Sequence, residues 1–239
     1  MQYRCEAKSV AGFVQQVAVS YVANGYFFYV AGRVPEDKAP EAVDAKIIEK
    51  YDIAISKWAR ARRKQAGIAN LQYIRYDRFF LILATHGVHR IFEEEEKVLR
   101  DVRRVPIRFA GYSISFRGGH SHVRLAPEEY GIVKSYLVGL AACRSIQHLV
   151  DEFRPLDFEP YAPVRRQLLN VLRAVNRKRI GAGYETISSS ILRLRRRIQR
   201  PFSVTAAVQE IYDDVAGTKN KDRHQRSASR LVDKNSCRS

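Results

Sequence analysis

The chain has 239 residues and a formal charge of +17, because 42 Lys and Arg residues outnumber 25 Asp and Glu residues. Hydrophobic residues make up 46% of it, so the chain can bury a core as one large domain or as a compact domain with a small appendage. The excess of positive charge attracts polyanions and predicts a nucleic-acid partner, with DNA favoured over RNA.

Cysteine usage and hydropathy exclude further classes of protein. Cys5, Cys143 and Cys237 are odd in number and far apart, which indicates neither a disulfide framework nor a CxxC zinc site. No apolar run approaches the roughly 18 residues of a transmembrane helix, and the first residues lack the apolar segment of a signal peptide. We therefore expect a cytoplasmic protein with no membrane partner.

Strand and helix patterns alternate in the first part of the chain. Residues 13–34 predict a hairpin, because the pair Asn24-Gly25 tolerates the positive φ of a tight turn. After a linker turn, apolar residues at three- and four-residue steps predict one amphipathic helix over 41–65. The end of that helix is strongly basic, which suits both the helix dipole and a phosphate contact.

The middle of the chain continues the strand pattern. Residues 71–85 predict a second hairpin, or two successive strands, broken near Asp77. The run from Phe79 to Leu83 is apolar throughout and predicts a strand that is covered on both faces. The next predicted elements, in chain order, are an acidic helix over 91–103, a strand over 107–116, a strand over 120–125 and a helix over 127–153.

The last third of the chain is more basic. Residues 154–163 contain three prolines and predict a linker, so we expect an α+β sheet domain over 1–154. The chain beyond it predicts a basic helical region over 163–216, with helices over 163–180, after 188–190 and over 203–215, and a disordered basic tail over 217–239. The predicted fold class is α+β, with a mixed or mainly antiparallel sheet, packed helices and then the basic helical region.

Basic residues of two predicted helical regions are the candidate nucleic-acid contacts. One group ends the helix over 41–65, and the other covers the outward faces of the helices beyond 163. These residues are Arg60, Arg62, Arg63, Lys64, Arg165, Arg166, Arg173, Arg177, Lys178, Arg179, Arg193, Arg195, Arg196 and Arg197.

Four histidines form two close pairs. His120 and His122 are two residues apart on a predicted strand, which places both imidazoles on one face within reach of one divalent ion. His86 and His89 follow an apolar strand, where a turn could direct both toward the same edge. If the two strands are neighbours, three or four imidazole nitrogens would converge on one metal. Ordinary turn and strand histidines are the alternative.

A His-x-His pair on a strand, followed by a tyrosine on a helix, resembles the HUH single-strand endonucleases of rolling-circle replication, plasmid mobilisation and single-strand transposition. The resemblance implies that His120 and His122 hold a divalent metal, Mg²⁺ or Mn²⁺, which polarises the scissile phosphate. It also implies that Tyr130 attacks that phosphate and forms a 5′-phosphotyrosine link, with Tyr136 and Tyr161 as alternative nucleophiles. Tyr130 lies on the apolar stripe of its helix, so core packing is its other role.

A second function is open on the sequence. Aromatic residues cluster on the predicted strands beside Arg33, Arg75 and Arg78. These aromatic residues are Tyr26, Phe27, Phe28, Tyr29, Tyr73, Tyr76, Phe79 and Phe80. Aromatic side chains on a sheet can stack bases, although they more often fill a core. The two hypotheses are therefore a metal-dependent enzyme that nicks and joins single-stranded DNA and a DNA- or RNA-binding accessory module without catalysis.

Overall fold

A computed structural model describes residues 3–196 and 200–202 of the chain. The helices within these ranges are α1 (Val10–Gln15), α2 (Pro40–Lys50), α3 (Lys57–Gln65), α4 (Ile91–Glu94), α5 (Pro127–Leu140), α6 (Ile146–Phe153) and α7 (Ala162–Gly181). The strands are β1 (Phe28–Arg33), β2 (Leu71–Tyr76), β3 (Phe79–Ala84), β4 (Arg100–Asp101), β5 (Ile107–Phe109), β6 (Tyr112–Arg117) and β7 (His120–Leu125). No helix in the described ranges combines the length and the hydropathy that crossing a membrane requires.

The strands form two antiparallel sheets, which confirms the predicted α+β class. The first sheet has four strands in the order β2-β3-β1-β4, and the second has three in the order β5-β6-β7. The predicted hairpin over 71–85 is present as β2 and β3, with Asp77 in the turn at a φ of 51°. The predicted strand over 120–125 is β7, and the strand predicted over 107–116 is divided into β5 and β6 by a turn at Ala110 and Gly111.

The hairpin predicted over 13–34 is wrong in its first half. After α1 the chain continues as a π-helix over Gln16–Tyr21 and a 3-10 turn over Val22–Asn24, and only β1 is a strand. Gly25, at a φ of 91°, ends this helical segment instead of turning a hairpin. Burial explains the difference, because the buried side chains recur at helical spacing. They are Phe13, Val14, Val17, Ala18, Tyr21 and Val22.

The helix predicted over 41–65 is two helices, α2 and α3. Between them Asp52 has a φ of 45°, and Ser56 caps α3 by accepting a hydrogen bond from the Ala59 backbone N–H. Tyr51 and Ile53 are both buried in the same core cluster. Residues two apart lie on different faces of a helix, so a break in the helix is needed for both side chains to enter that core.

Two further predicted helices are shorter than expected. The acidic helix over 91–103 ends as α4 after four residues, and the chain then forms β4, which pairs with β1 through Phe28 and Tyr29. The helix over 127–153 is divided into α5 and α6, and Ser145 caps the second by accepting a hydrogen bond from the His148 backbone N–H at 3.2 Å.

The four-stranded sheet separates two hydrophobic cores. Leu81 and Leu83 of β3 enter the larger core, while Ile82 and Ala84 enter the smaller one, so β3 is covered on both faces as predicted. The larger core also takes side chains from the three-stranded sheet and from α1, α5, α6 and α7. The smaller core lies on the other face and includes side chains that follow α2.

Helix α7 belongs to the larger core, so the segment over 154–163 joins parts of one core and does not separate two. Val164, Leu168 and Val175 of α7 are buried in the same cluster as Ile114 and Val123 of the three-stranded sheet. The prolines of the segment stop α6 and start α7, but they do not isolate α7 from the sheets. Of the other elements predicted beyond 163, the short helix after 188–190 is a 3-10 turn over Ser189–Ile191, and the helix over 203–215 and the tail over 217–239 lie outside the described residues.

A buried ion pair fixes α2 to the sheet. The Arg75 guanidinium donates from Nε to Asp44 Oδ2 at 2.9 Å, and the Tyr73 hydroxyl donates to Asp44 Oδ1 at 2.5 Å. Arg75 also donates from Nη1 to the Asp77 carbonyl at 2.6 Å, which holds the β2–β3 turn. The backbone of Arg75 bonds the N-terminal segment. Its carbonyl accepts a hydrogen bond from the Ala7 N–H, and its N–H donates to the Cys5 carbonyl.

We expect Asp44→Asn to lower the free energy of unfolding by about 3–5 kcal/mol, because it leaves the buried Arg75 charge without its counter-charge. The matched control is Glu41→Gln on the same helix. Glu41 lies 3.5 Å from the same guanidinium but is exposed, so its loss costs less than about 1 kcal/mol. Urea unfolding followed by circular dichroism measures both, and equal losses for the two variants would contradict the role assigned to burial.

Candidate functional site

The three-stranded sheet has one buried face and one outward face. Ile107, Ile114 and Val123 are buried in the larger core. Because side chains alternate along a strand, the residues between them point away from that core. This outward face, called the outer face below, carries Arg108 of β5, Ser113, Ser115 and Arg117 of β6, and His120, His122 and Arg124 of β7.

Strand register brings the basic residues of the outer face together. Ser113 is paired with Arg108 on one side and with Arg124 on the other, so a serine lies between two arginines. Ser115 is paired with His122, and Arg117 is paired with His120. Directly opposite residues have Cβ atoms about 5 Å apart, so each basic side chain has a neighbour within reach.

A pocket of about 310 Å³ opens on the outer face. It is called the arginine pocket below, and it is lined by Pro106, Arg108, Ser113, Ser115, Arg117, His122, Arg124 and Pro127. Ser113 and Ser115 are only 4% and 5% exposed and form its floor. Neither serine hydroxyl has a hydrogen-bond partner in the part of the chain that the structure describes.

The pocket is positively charged. Arg117 and Arg124 are exposed and form no ion pair with the described residues, whereas Arg108 donates from Nη1 to Glu128 Oε1 at 2.8 Å. None of the lining residues is a carboxylate. Guanidinium groups and free hydroxyls are the donors that bind the oxygens of an anion, and the planar guanidinium matches the geometry of phosphate.

The predicted metal ligands do not converge. His120 and His122 share the outer face, but His86 and His89 follow β3 of the other sheet. No group of three or more His, Cys, Asp and Glu side chains placed to hold a metal occurs among the residues with a described position. The expectation of three or four converging imidazoles is therefore wrong, because β3 and β7 belong to different sheets.

His86 and His89 have local partners instead. The ring of His86 lies 5.5 Å from the ring of Phe28 in an edge contact. His89 accepts a hydrogen bond at Nδ1 from the Ile91 backbone N–H at 3.2 Å, which places it at the start of α4. Burial lowers the pKa of His89, so the neutral ring that accepts this bond is favoured.

Tyr130 does not line the arginine pocket. It is half-buried on α5 and packs against the larger core, with Lys134 Nζ 5.8 Å from its ring centre. This is the core-packing role that its position on the apolar stripe indicated. Of the two alternative tyrosines, Tyr136 donates to Glu152 Oε2 at 2.9 Å, and Tyr161 lies under the Arg196 guanidinium at 4.9 Å.

The basic residues predicted on α3 differ in their exposure to solvent and in whether they form ion pairs. Arg62 and Lys64 are exposed, and Arg63 forms an ion pair with Asp52. Arg60 is half-buried, and its Nε has no hydrogen-bond partner in the described part of the chain. The Arg60 side chain is therefore only partly accessible to a ligand at the surface.

Most of the basic residues predicted on α7 are surface cations, but Arg179 is not. The exposed group consists of Arg165, Arg166, Arg173, Arg177 and Lys178. Arg179 is only 3% exposed and donates from Nη1 to the carbonyls of Ala141 and Arg144 at 3.0 Å each. Its Nε donates to the Glu185 carbonyl at 2.6 Å. The prediction that Arg179 contacts nucleic acid is wrong, because its donors satisfy the backbone at the end of α5.

The basic residues beyond α7 also include one that is paired with carboxylates and two that are exposed. Arg193 forms ion pairs with Asp157 at 3.0 Å and Glu159 at 3.1 Å, so its charge is largely neutralised. Arg195 and Arg196 are exposed. Arg197 lies outside the described residues.

The sequence predictions missed Arg108, Arg117 and Arg124 as site residues. A signal was present in β7, where His120, His122 and Arg124 are basic at every second position of a strand. The partners on β5 and β6 carry no such pattern, because only the sheet register places Arg108 and Arg117 on the same face.

Comparison of the chain with protein-family models gave no match, and a search of curated proteins gave none either. The function is therefore inferred from the geometry and charge of the pocket rather than from relatedness.

We expect Arg179→Met to lower the free energy of unfolding by at least about 2 kcal/mol, because three backbone carbonyls lose a charged donor in a buried position. Arg177→Met, two residues away on the same helix but exposed, is the control and should change stability by less than about 0.5 kcal/mol. Chemical unfolding of both variants measures the difference. Similar values would show that the Arg179 contacts do not stabilise the junction of α5 and α6.

Proposed function

We propose that this protein binds nucleic acid by holding backbone phosphates in the arginine pocket. The observation that carries the proposal is the set of three arginines and one histidine around two free serine hydroxyls, with no carboxylate in the lining. Such a pocket attracts an anion and offers it several donors at once. The net charge of +17 extends that attraction to a polyanion.

The exposed cations of α7 support the same proposal from another element. Gln167 of α7 accepts a hydrogen bond at Oε1 from the Leu125 backbone N–H of β7 at 2.8 Å. Its Nε2 donates to the Leu125 carbonyl at 3.2 Å. Helix α7 therefore packs on the inner side of the strand whose outer side carries His122 and Arg124. Its exposed cations add a general positive field to the local charge of the pocket.

Metal-dependent nicking, the activity that the His-x-His resemblance implies, receives less support from the pocket. His120 and His122 share the outer face with Arg117 and Arg124, whose charges repel a divalent cation. Among the described residues, no third His, Cys, Asp or Glu side chain is placed with these two histidines to hold a metal. Binding without catalysis is thus the function that we propose, with His122 as a further phosphate donor.

We expect the double variant Arg117→Gln/Arg124→Gln to bind a DNA oligonucleotide at least about tenfold more weakly, because two phosphate contacts are lost. The slope of log affinity against log salt concentration should fall by about 2. Fluorescence anisotropy at several salt concentrations measures both quantities.

The control is Arg166→Gln/Arg177→Gln on α7, which removes the same charge from an exposed helix face. A smaller loss of affinity in this control is expected, since its residues contribute only to the general field. Equal losses in the two double variants would show that affinity follows net charge alone and would overturn the pocket as the binding site. Cleavage of the oligonucleotide with Mg²⁺ or Mn²⁺, abolished by His120→Ala/His122→Ala, would instead support the nicking activity.

A further inference from the structure

A second pocket, of about 550 Å³, lies where the end of β1 meets the β2–β3 and β5–β6 turns. It is called the aromatic pocket below. Its volume lies within the range of small-molecule sites in proteins. Ala31 lines it and is exposed, although it follows the buried Val30 in β1. The pocket is therefore an open cleft beside the larger core and not a void inside it.

Aromatic rings form one wall of the aromatic pocket. Phe79 and Phe109 are stacked with ring centres 5.0 Å apart and planes 24° apart, and Tyr76 meets Phe109 edge-on at 5.7 Å. Phe13 supports Phe109 from the core side at 4.2 Å. The wall is therefore held in place by packing before any ligand arrives. A flat, fixed aromatic surface is suited to stacking another planar ring.

Polar groups at the rim complement that wall. Asp77 is exposed in the β2–β3 turn, which Arg75 holds through the Asp77 carbonyl. Arg33 lines the same cleft and is paired in register with Phe79. A carboxylate accepts hydrogen bonds from the amino group of a base, and an arginine donates to its ring nitrogens and carbonyls. Stacking surface, acceptor and donor thus occur in one cleft.

Arg108 lines both the arginine pocket and the aromatic pocket. A phosphate in the first pocket and a base in the second would therefore belong to neighbouring parts of one strand. Bases of a duplex are stacked and paired inside the helix and do not reach a cleft in a protein surface unless they are unpaired. Unstacked bases of a single strand are free to stack on aromatic side chains.

We propose that the aromatic pocket binds one unpaired base of a single-stranded nucleic acid whose phosphate lies in the arginine pocket. The proposal rests on the proposed function and adds to it a preference for single strands over duplexes. Tyr76 and Phe79 belong to the strand aromatics for which the sequence left base stacking open beside core packing, and Phe109 completes the wall from the other sheet.

Two variants test the aromatic pocket in different ways. Ala31→Leu fills the cleft from an exposed position, so it removes no core contact and preserves the fold. Phe79→Leu keeps an apolar side chain but loses the ring. Each should weaken binding to a labelled single-stranded oligodeoxynucleotide by about tenfold and leave binding to a duplex of equal length unchanged. Phe80→Leu, on the opposite face of β3, is the matched control and should bind both probes like the unchanged protein.

An oligonucleotide of the same length made of abasic nucleotides separates base from phosphate contacts. The unchanged protein and Ala31→Leu should bind this probe equally, because no base competes for the cleft. Unchanged single-strand affinity in both Ala31→Leu and Phe79→Leu would overturn the base pocket while leaving the phosphate site intact. Loss of binding only in Arg117→Gln/Arg124→Gln would also overturn the base pocket. Absence of binding to either probe at low salt would overturn the proposed function and this inference together.

Discussion

The buried ion pair between Arg75 and Asp44 is the constraint that holds helix α2 and the β2–β3 turn on the four-stranded sheet. Removing two charges from water costs free energy, which is offset only when their hydrogen bonds are complete. The Arg75 guanidinium donates to Asp44 and to the Asp77 carbonyl, and the Arg75 backbone separately bonds the N-terminal segment. Helix α2, the sheet edge and the β2–β3 turn must therefore adopt one arrangement, and that turn carries Asp77 and Phe79 to the aromatic pocket.

The position of the proposed binding surface follows from how the second sheet is covered. Helix α7 and the larger core occupy its inner face, so the other face is left for solvent and for ligands. Three arginines and His122 share that face, and Arg108 extends it toward the aromatic cleft. One pocket is lined by arginines and the other by aromatic rings, and we propose that they take a phosphate and a planar base. A single-stranded polyanion presents both groups side by side.

Charge density along the chain was a poor guide to which cations are available. Arg179 stands among exposed basic residues in the sequence, yet it is buried and bonds the backbone at the break between α5 and α6. Arg193 is neutralised by two carboxylates that are more than 30 residues away in the chain. Arg117 and Arg124, which the sequence marked only as parts of a turn and a strand, have no such partners in the described residues. The type of a residue fixes its charge, but the tertiary structure decides whether an opposite charge or a carbonyl lies beside it.

The sequence by itself determined the α+β class, the β2–β3 hairpin, the strand β7 and the excess of positive charge, because periodicity and composition are properties of neighbouring residues. Only the tertiary structure decided that 13–24 is helical, that the chain breaks at Asp52 between α2 and α3, and that His120 and His122 of β7 lie apart from His86 and His89. It also decided which arginines share a pocket. Those outcomes depend on burial and strand register, which are set by contacts between segments far apart in the chain.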